Sequence, residues 1–221
     1  MTGLADTIEK PKPRLIKVLI VDDHPIVISG CRAMLLGERD MQVFAATNGE
    51  QALELFSSLG PAVVVLDINL PGISGFEVAR RMLEQEPKAR ILFFSMNDDP
   101  IFAARSLECG AKGYITKNDD PADFITAIRK VEAGEVYLRP DVARRIEHYK
   151  TQKATNPLGA LSPREIEILR LLGRGKSMPE IAHLINLSHK TVANACTLMK
   201  NKVGARSPMD LVRIAHEHGL V

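Results

Sequence analysis

The chain has 221 residues, 45% hydrophobic and 25% charged, with a formal net charge of +2. This is an ordinary globular mixture and excludes a chain disordered throughout. No stretch approaches the roughly 18 apolar residues of a membrane-spanning helix, and the first fifteen residues lack the apolar run of a secretory signal, so a cytoplasmic protein with no membrane partner is expected.

The chain is long enough for one large or two small domains. Its charge is uneven: residues 1–154 carry 20 Lys and Arg against 22 Asp and Glu, while residues 155–221 carry nine against five. A basic C-terminal third points weakly to a polyanionic partner. Cys31, Cys109 and Cys196 lie far apart with no CxxC spacing, so they read as buried thiols rather than zinc ligands or disulfides.

After a polar tail with Pro11 and Pro13, Ile16–Val21 reads as a buried strand ending at Asp22 and Asp23. A helix follows from Pro25 to about Gly37. The unit repeats: strand Met41–Thr47 and helix Asn48–Leu59; strand Ala62–Leu66 and helix Ile73–Gln85; strand Arg90–Phe94 and helix Asp99–Cys109; strand Lys112–Ile115 and helix Pro121–Ala133. Nearly continuous Val, Ile and Leu runs alternating with helices predict a doubly wound α/β domain, a five-stranded parallel sheet covered on both faces. Gly134, Tyr137 and Pro140 mark its end. Asp141–Lys153 reads as a charged helical linker and Thr155–Gly159 as a loop. An all-α, four-helix remainder follows: Pro163–Gly173, Met178–Ile185, Lys190–Val203 and Ser207–His218. The divisions are a tail over 1–15, an α/β domain over 16–135, a linker with a helix over 136–157, and a helical domain over 158–221.

In such a sheet ligands bind at the carboxyl ends of the strands. Asp22 and Asp23 lie at the end of the first strand, Asp67 at the third, Ser95 at the fourth and Lys117 after the fifth. Three convergent carboxylates call for a counter-charge, and a hard divalent cation such as Mg2+ would serve. A carboxylate can also act as a nucleophile and form an aspartyl phosphate. Taken singly, each residue has a plainer reading: Asp23 as a helix cap, Asp67 in a turn with Pro71 and Gly72, Lys117 as a solvated lysine.

The segments VLIVDDHPIV, VVVLDINLPGISGFE, ILFFSMNDD and GAKGYITK resemble the signatures of a response-regulator receiver domain over about residues 16–135. The resemblance implies that Asp67 accepts phosphate. It implies that Asp22, Asp23, Asp67 and the backbone carbonyl of Asn69 organise Mg2+, and that Ser95 and Lys117 contact the phosphoryl group. Tyr114 falls on the family's rotating aromatic, or is an ordinary edge tyrosine. Asn69 and Asn97 stand where the family tunes phosphate lifetime. Met96 stands where a small residue is common and would narrow access.

Met178–Ile185, a short turn at Asn186-Leu187-Ser188 and Lys190–Val203 have helix-turn-helix form, with Ser188 as the N-cap of a helix that would enter a major groove. Residues 161–221 resemble the LuxR-type DNA-binding domain through LSPRE, the run Gly175, Ser177, Glu180, Ile181, Ala182, the pair Thr191-Val192 and the closing HGLV. The whole chain thus resembles a two-component response regulator of the NarL/FixJ type. On helical spacing Val192, Cys196, Met199 and Val203 form the core face. Candidate DNA contacts are Lys190, Thr191, Asn194, Thr197, Lys200, Asn201, Lys202 and Arg206, with Asn194 suited to adenine and the lysines and Arg206 to phosphates. The reading helix lacks arginine, and Ala193, Ala195 and Thr197 stand where relatives often carry basic residues or histidine.

The expected function is a DNA-binding transcriptional regulator switched by phosphorylation of Asp67 by a sensor histidine kinase, dimerising on activation. It is not an enzyme, although its pocket assists its own phosphorylation and dephosphorylation. The competing reading is a phospho-switched protein-interaction module with weak or lost DNA binding, and a more distant one is an aspartate-based phosphatase. The Gly-Lys-Ser run at 175–177 follows a helix rather than a strand and reads as an interhelical turn, not a phosphate loop.

Overall fold

The computed structural model describes residues 15–60, 62–152, 157–185 and 187–221. The predicted tail, except for Leu15, lies outside them, as do Asn186 and part of the predicted loop before the second domain. Five strands, β1 (Ile16–Val21), β2 (Met41–Ala46), β3 (Val63–Leu66), β4 (Arg90–Ser95) and β5 (Gly113–Thr116), form one parallel sheet of order β2-β1-β3-β4-β5. Helices α1 (Pro25–Leu35), α2 (Gly49–Leu59), α3 (Gly75–Gln85), α4 (Pro100–Glu108) and α5 (Pro121–Glu132) connect and follow the strands.

The central strands are buried on both faces, with Val18–Val21, Val63–Leu66 and Ile91–Phe93 all 1% exposed or less. This is why their apolar runs are continuous rather than alternating. Short polar side chains start most helices: Asn48, Ser74, Asp99 and Asp120 each accept a hydrogen bond from a first-turn backbone N–H, as caps do. The residue before α1 is His24, which makes no side-chain cap, so Asp23 is not the cap of that helix. Tyr137 does not simply end the domain. Its backbone N–H donates to Lys112 at 2.8 Å and its carbonyl accepts from Tyr114 at 3.2 Å, adding a bridge to the edge of β5.

Helix α6 (Pro140–Gln152) packs against α4, and a 3-10 turn at Pro157–Ala160 stands where the loop was expected. Helices α7 (Pro163–Gly173), α8 (Met178–Leu184), α9 (His189–Val203) and α10 (Pro208–Glu217) form the second unit. Ser162 with Glu165, Ser177 with Glu180, and Ser207 with Asp210 form reciprocal capping boxes. Ser188 caps α9 by accepting from the Thr191 N–H at 3.1 Å, as its sequence position predicts. Ile166, Ile168, Leu169, Ile181, Val192, Met199 and Leu211 are buried at the centre. These side chains share one apolar cluster with Leu158, Leu161 and residues of α4 and α6.

Candidate phosphoryl-acceptor site and reading helix

The strand order reverses between β1 and β3, the place where doubly wound sheets open a ligand crevice. Val21 pairs with Leu66 there, so the next residues, Asp22 and Asp67, emerge side by side. The Asp67 N–H donates to the Val21 carbonyl at 2.9 Å, and the Lys117 N–H donates to the Ser95 carbonyl at 2.8 Å. Backbone pairing therefore brings the four strand ends to one edge.

Lys117 is not a solvated lysine: its side chain is 7% exposed, and Nζ lies 2.6 Å from Asp22 Oδ2 and 3.1 Å from Asp67 Oδ2. Burial pushes the ammonium down, but Asp67 and Asp22 outweigh it and hold its pKa above the ordinary lysine value. Burial pushes the Asp67 carboxyl up to about 6, opposed by Lys117 and reinforced by Asp22. Asp67 is thus neither a turn residue nor a surface acid. Among the described residues, Asp22, Asp23, Asp67 and His24 bring ligand-capable atoms within 4.8 Å of one another. Three carboxylates against one ammonium leave an excess of negative charge on hard oxygen donors, which fits a hard divalent cation.

Ser95 is fully buried; its Oγ accepts from the backbone N–H of Asn97 at 3.3 Å and from its side-chain amide at 3.4 Å. Tyr114 is also buried, and its hydroxyl donates to the Asn97 carbonyl at 2.6 Å. Burial raises the pKa of this phenol, which stays protonated. Asn69 and Asn97 both turn toward the second unit. Asn69 Nδ2 donates to Glu167 Oε1 at 2.6 Å and its Oδ1 accepts from Arg164 Nη1 at 3.3 Å; Asn97 Oδ1 accepts from Arg170 Nη1 at 2.6 Å. Sequence reasoning missed these three α7 residues, since surface Arg and Glu on an amphipathic helix carry no mark of a partner some hundred positions away. A cavity of about 190 Å³ leads to Asp67, with Asn69, Met96 and Lys117 on one side and Leu184 and Ile185 on the other. Met96 stands 61% exposed at its mouth.

Sequence reasoning also passed over Gly75. A Cβ there would lie 2.0 Å from the Asp67 carbonyl oxygen, so the first turn of α3 closes on the Asp67 backbone only because this residue is glycine. The signal was the glycine itself, just after the N-cap Ser74.

On α9, Val192, Cys196 and Met199 are buried while Lys190, Thr191, Asn194, Thr197 and Asn201 are exposed; Lys200 is half-buried. Arg206 is exposed just beyond the helix. Lys202 is exposed too, but its Nζ lies 2.9 and 2.8 Å from the two carboxylate oxygens of Glu165. Leu198 stands 56% exposed on the same helix.

A parallel sheet with an acidic, lysine-bridged edge, followed by a helix-turn-helix unit, defines the class of two-component signalling regulators. The family model "Response regulator receiver domain" matches residues 18–129, and that of the "Bacterial regulatory proteins, luxR family" matches residues 159–215. The transcriptional activator protein ExaE of Pseudomonas putida is 37% identical over 209 residues, 92% of this chain and 97% of ExaE. The response regulator GacA of Pseudomonas aeruginosa is 33% identical over 210 residues, covering 94% and 98%. Among solved structures, a complex of the response regulator RcsB with DNA aligns with a TM-score of 0.58 at 26% identity, covering 91% of this chain and 98% of that one. RcsB of Salmonella enterica serovar Typhimurium, bound to a promoter in the presence of a phosphomimetic, aligns with a TM-score of 0.62 at 25% identity, covering 90% and 98%. The chain belongs to the response-regulator family, in its NarL/FixJ branch, and carries the DNA-binding domain of the luxR type. Among the described residues no helix is long and apolar enough to cross a membrane.

Proposed function

We propose that this chain is a transcription factor switched by transfer of a phosphoryl group from a sensor histidine kinase to Asp67. The observation that carries the reading is the Lys117 ammonium shared by Asp22 and Asp67 at the β1/β3 crevice. An Asp67 oxygen attacks phosphorus, the phosphorus–nitrogen bond of the phosphohistidine breaks, and the imidazole leaves with the electron pair. Lys117 neutralises one phosphoryl oxygen, and Ser95 donates its hydroxyl to another. Asp22, Asp23, Asp67 and the Asn69 carbonyl would hold Mg2+, which when bound offsets the charge of the phosphoryl oxygens. The kinase docks beside α1, where Ile26 stands 79% exposed.

Phosphorylation replaces the single charge of the Asp67 carboxylate by about −2 on the phosphoryl group, two residues from Asn69, the partner of the Glu167 carboxylate. Repulsion weakens the hold of α7, and Ser95 exchanges its bonds from Asn97 for the phosphoryl oxygen. Because α9 already presents its polar face in the docked arrangement, the switch acts on pairing of two copies rather than on unmasking the reading helix. A homodimer then places two α9 helices in successive major grooves of double-stranded DNA. Helix α10, where Met209 is 73% exposed, and the receiver's α1 and α5 are the candidate contact faces.

The test is intact-mass measurement and DNA binding on the full-length protein with Mg2+ and a phosphoryl donor, over genomic fragments and a salt series. The expected result is one added phosphoryl group, absent in Asp67→Asn, and tighter binding to particular fragments. Phosphorylation retained in Asp67→Asn would overturn the acceptor assignment. Phosphorylation with binding to no fragment would overturn the DNA reading in favour of a protein-interaction module.

A further inference from the structure

The route to Asp67 is walled by both domains. Met96 forms the receiver's side of the mouth, and Leu184 and Ile185, where α8 ends, form the opposite side. What holds that side in place is Arg164. Its Nη1 donates to Asn69 Oδ1 at 3.3 Å while its Nη2 donates to the backbone carbonyl of Ile185. Glu167 on Asn69 and Arg170 on Asn97 hold the same corner at two further points, both at 2.6 Å. The roof over the acceptor is therefore fixed to the residues that flank it.

From this we infer that Leu184 and Ile185 make the docked protein selective for the size of its phosphoryl donor, admitting small donors and excluding bulky ones until α7 lets go. The inference rests on the acceptor role proposed for Asp67. The cavity, about 190 Å³, has room for several water-sized groups. Displacement at phosphorus places the leaving group on the far side of the phosphorus from Asp67, which here is the side of the mouth. Phosphoramidate fits: an Asp67 oxygen bonds to phosphorus, the phosphorus–nitrogen bond breaks, and the already protonated nitrogen departs as ammonia with the electron pair. Benzoyl phosphate undergoes the same displacement with benzoate leaving, and on this reading its ring is the group that meets Leu184. A phosphohistidine presented by a protein is bulkier still, so the kinase must meet the undocked form.

Leu184 is 55% exposed, so truncating it trims the mouth without opening the core. The experiment measures acyl-phosphate formation by intact mass on the full-length protein with Mg2+, against phosphoramidate and benzoyl phosphate. Wild type, Leu184→Ala and Arg164→Met are compared over a range of donor concentrations. In the wild type, benzoyl phosphate is expected to react at least fivefold more slowly than phosphoramidate once each is corrected for its solution reactivity. In both variants the benzoyl-to-phosphoramidate ratio of kcat/KM should rise at least fivefold, mainly through a lower KM for benzoyl phosphate. A general loss of pocket structure would lower both rates and leave the ratio where it was. A ratio within twofold of the wild type in both variants, or no size preference in the wild type, overturns the inference while Asp67 remains the acceptor. If neither donor phosphorylates any form, the acceptor reading falls and the inference falls with it.

Discussion

Arg170 of the DNA-binding domain donates to the side-chain carbonyl of Asn97 at 2.6 Å, two residues beyond the buried Ser95. The same Asn97 accepts the Tyr114 hydroxyl on its backbone carbonyl and points its amide at Ser95. One side chain thus links the reading domain, the buried tyrosine and the hydroxyl expected to meet the phosphoryl group. Asn97→Ala removes the acceptor from a guanidinium whose side chain is only 15% exposed. Loss of a hydrogen bond to a charged group costs roughly 1.5–3 kcal/mol, enough to shift a closed arrangement toward an open one. Small-angle scattering of the unphosphorylated variant should show a larger radius of gyration than the wild type. An unchanged radius would mean that this contact does not hold the domains together.

Asp67 contributes its own pH dependence. Its folded pKa of about 6 lies above its ordinary value of 3.8. The folded state therefore binds more protons than the unfolded chain between about pH 4 and 6. Stability must fall as pH rises through that window and stay level above it. Asp67→Asn removes the cost, so in metal-free buffer at pH 7 the variant should melt higher, by an amount on the order of 1–3 kcal/mol. The difference should shrink at pH 4 and in Mg2+, which favours the ionised wild-type carboxylate. Thermal melts at both pH values, with and without Mg2+, decide it. A variant that melts lower than wild type at pH 7 without metal would contradict the assigned direction.

Gly75 offers a steric test of the same residue. A methyl group at this position meets the Asp67 carbonyl at 2.0 Å, and backbone cannot yield as a side-chain tip does. Gly75→Ala should cost roughly 1–3 kcal/mol as overpacking and slow acyl-phosphate formation by displacing Asp67. Gly30→Ala is the control, since nothing lies within 4 Å of its added methyl in the exposed middle of α1. It should gain up to about 1 kcal/mol from helix propensity and leave phosphorylation by a small-molecule donor as it was. Equal behaviour of the two variants would remove the steric argument.

These residues also show how far the sequence could be read. The strands were legible because burial on both faces demands unbroken apolar runs such as Val63–Leu66, and the acidic edge because strand ends in a doubly wound sheet must converge. Helix ends were legible where a cap is local, as at Ser188. Tyr137 was read as a domain end because a single bridged residue has no periodicity. Gly75 was passed over inside the predicted helix because its constraint is a contact with Asp67, eight positions earlier. The docking of Arg164, Glu167 and Arg170 onto Asn69 and Asn97 had no local signal, because it depends on where one domain sits against the other.

The lysines of the reading domain should separate by their partners. Lys190 is exposed at the start of α9, whereas Lys202 is bound to both oxygens of Glu165. Burial pushes Glu165 up, but Lys202 and the Ser162 bonds outweigh it and hold its carboxyl below the ordinary range. Glu165 also caps α7, so Lys202 ties the reading helix to the helix that docks on the receiver. Lys190→Ala should weaken binding to every DNA fragment alike and reduce the slope of log affinity against log salt by about 1. Lys202→Ala should change that slope less and lower the melting temperature more, because the Glu165 carboxylate loses its counter-charge. Asn194→Ala, by contrast, should relax base preference at one position by roughly 1–3 kcal/mol and leave the slope unchanged. Salt titrations on one specific and one unrelated fragment, with melts of each variant, separate the three roles. Equal salt slopes for Lys190→Ala and Lys202→Ala would show that DNA draws Lys202 away from Glu165.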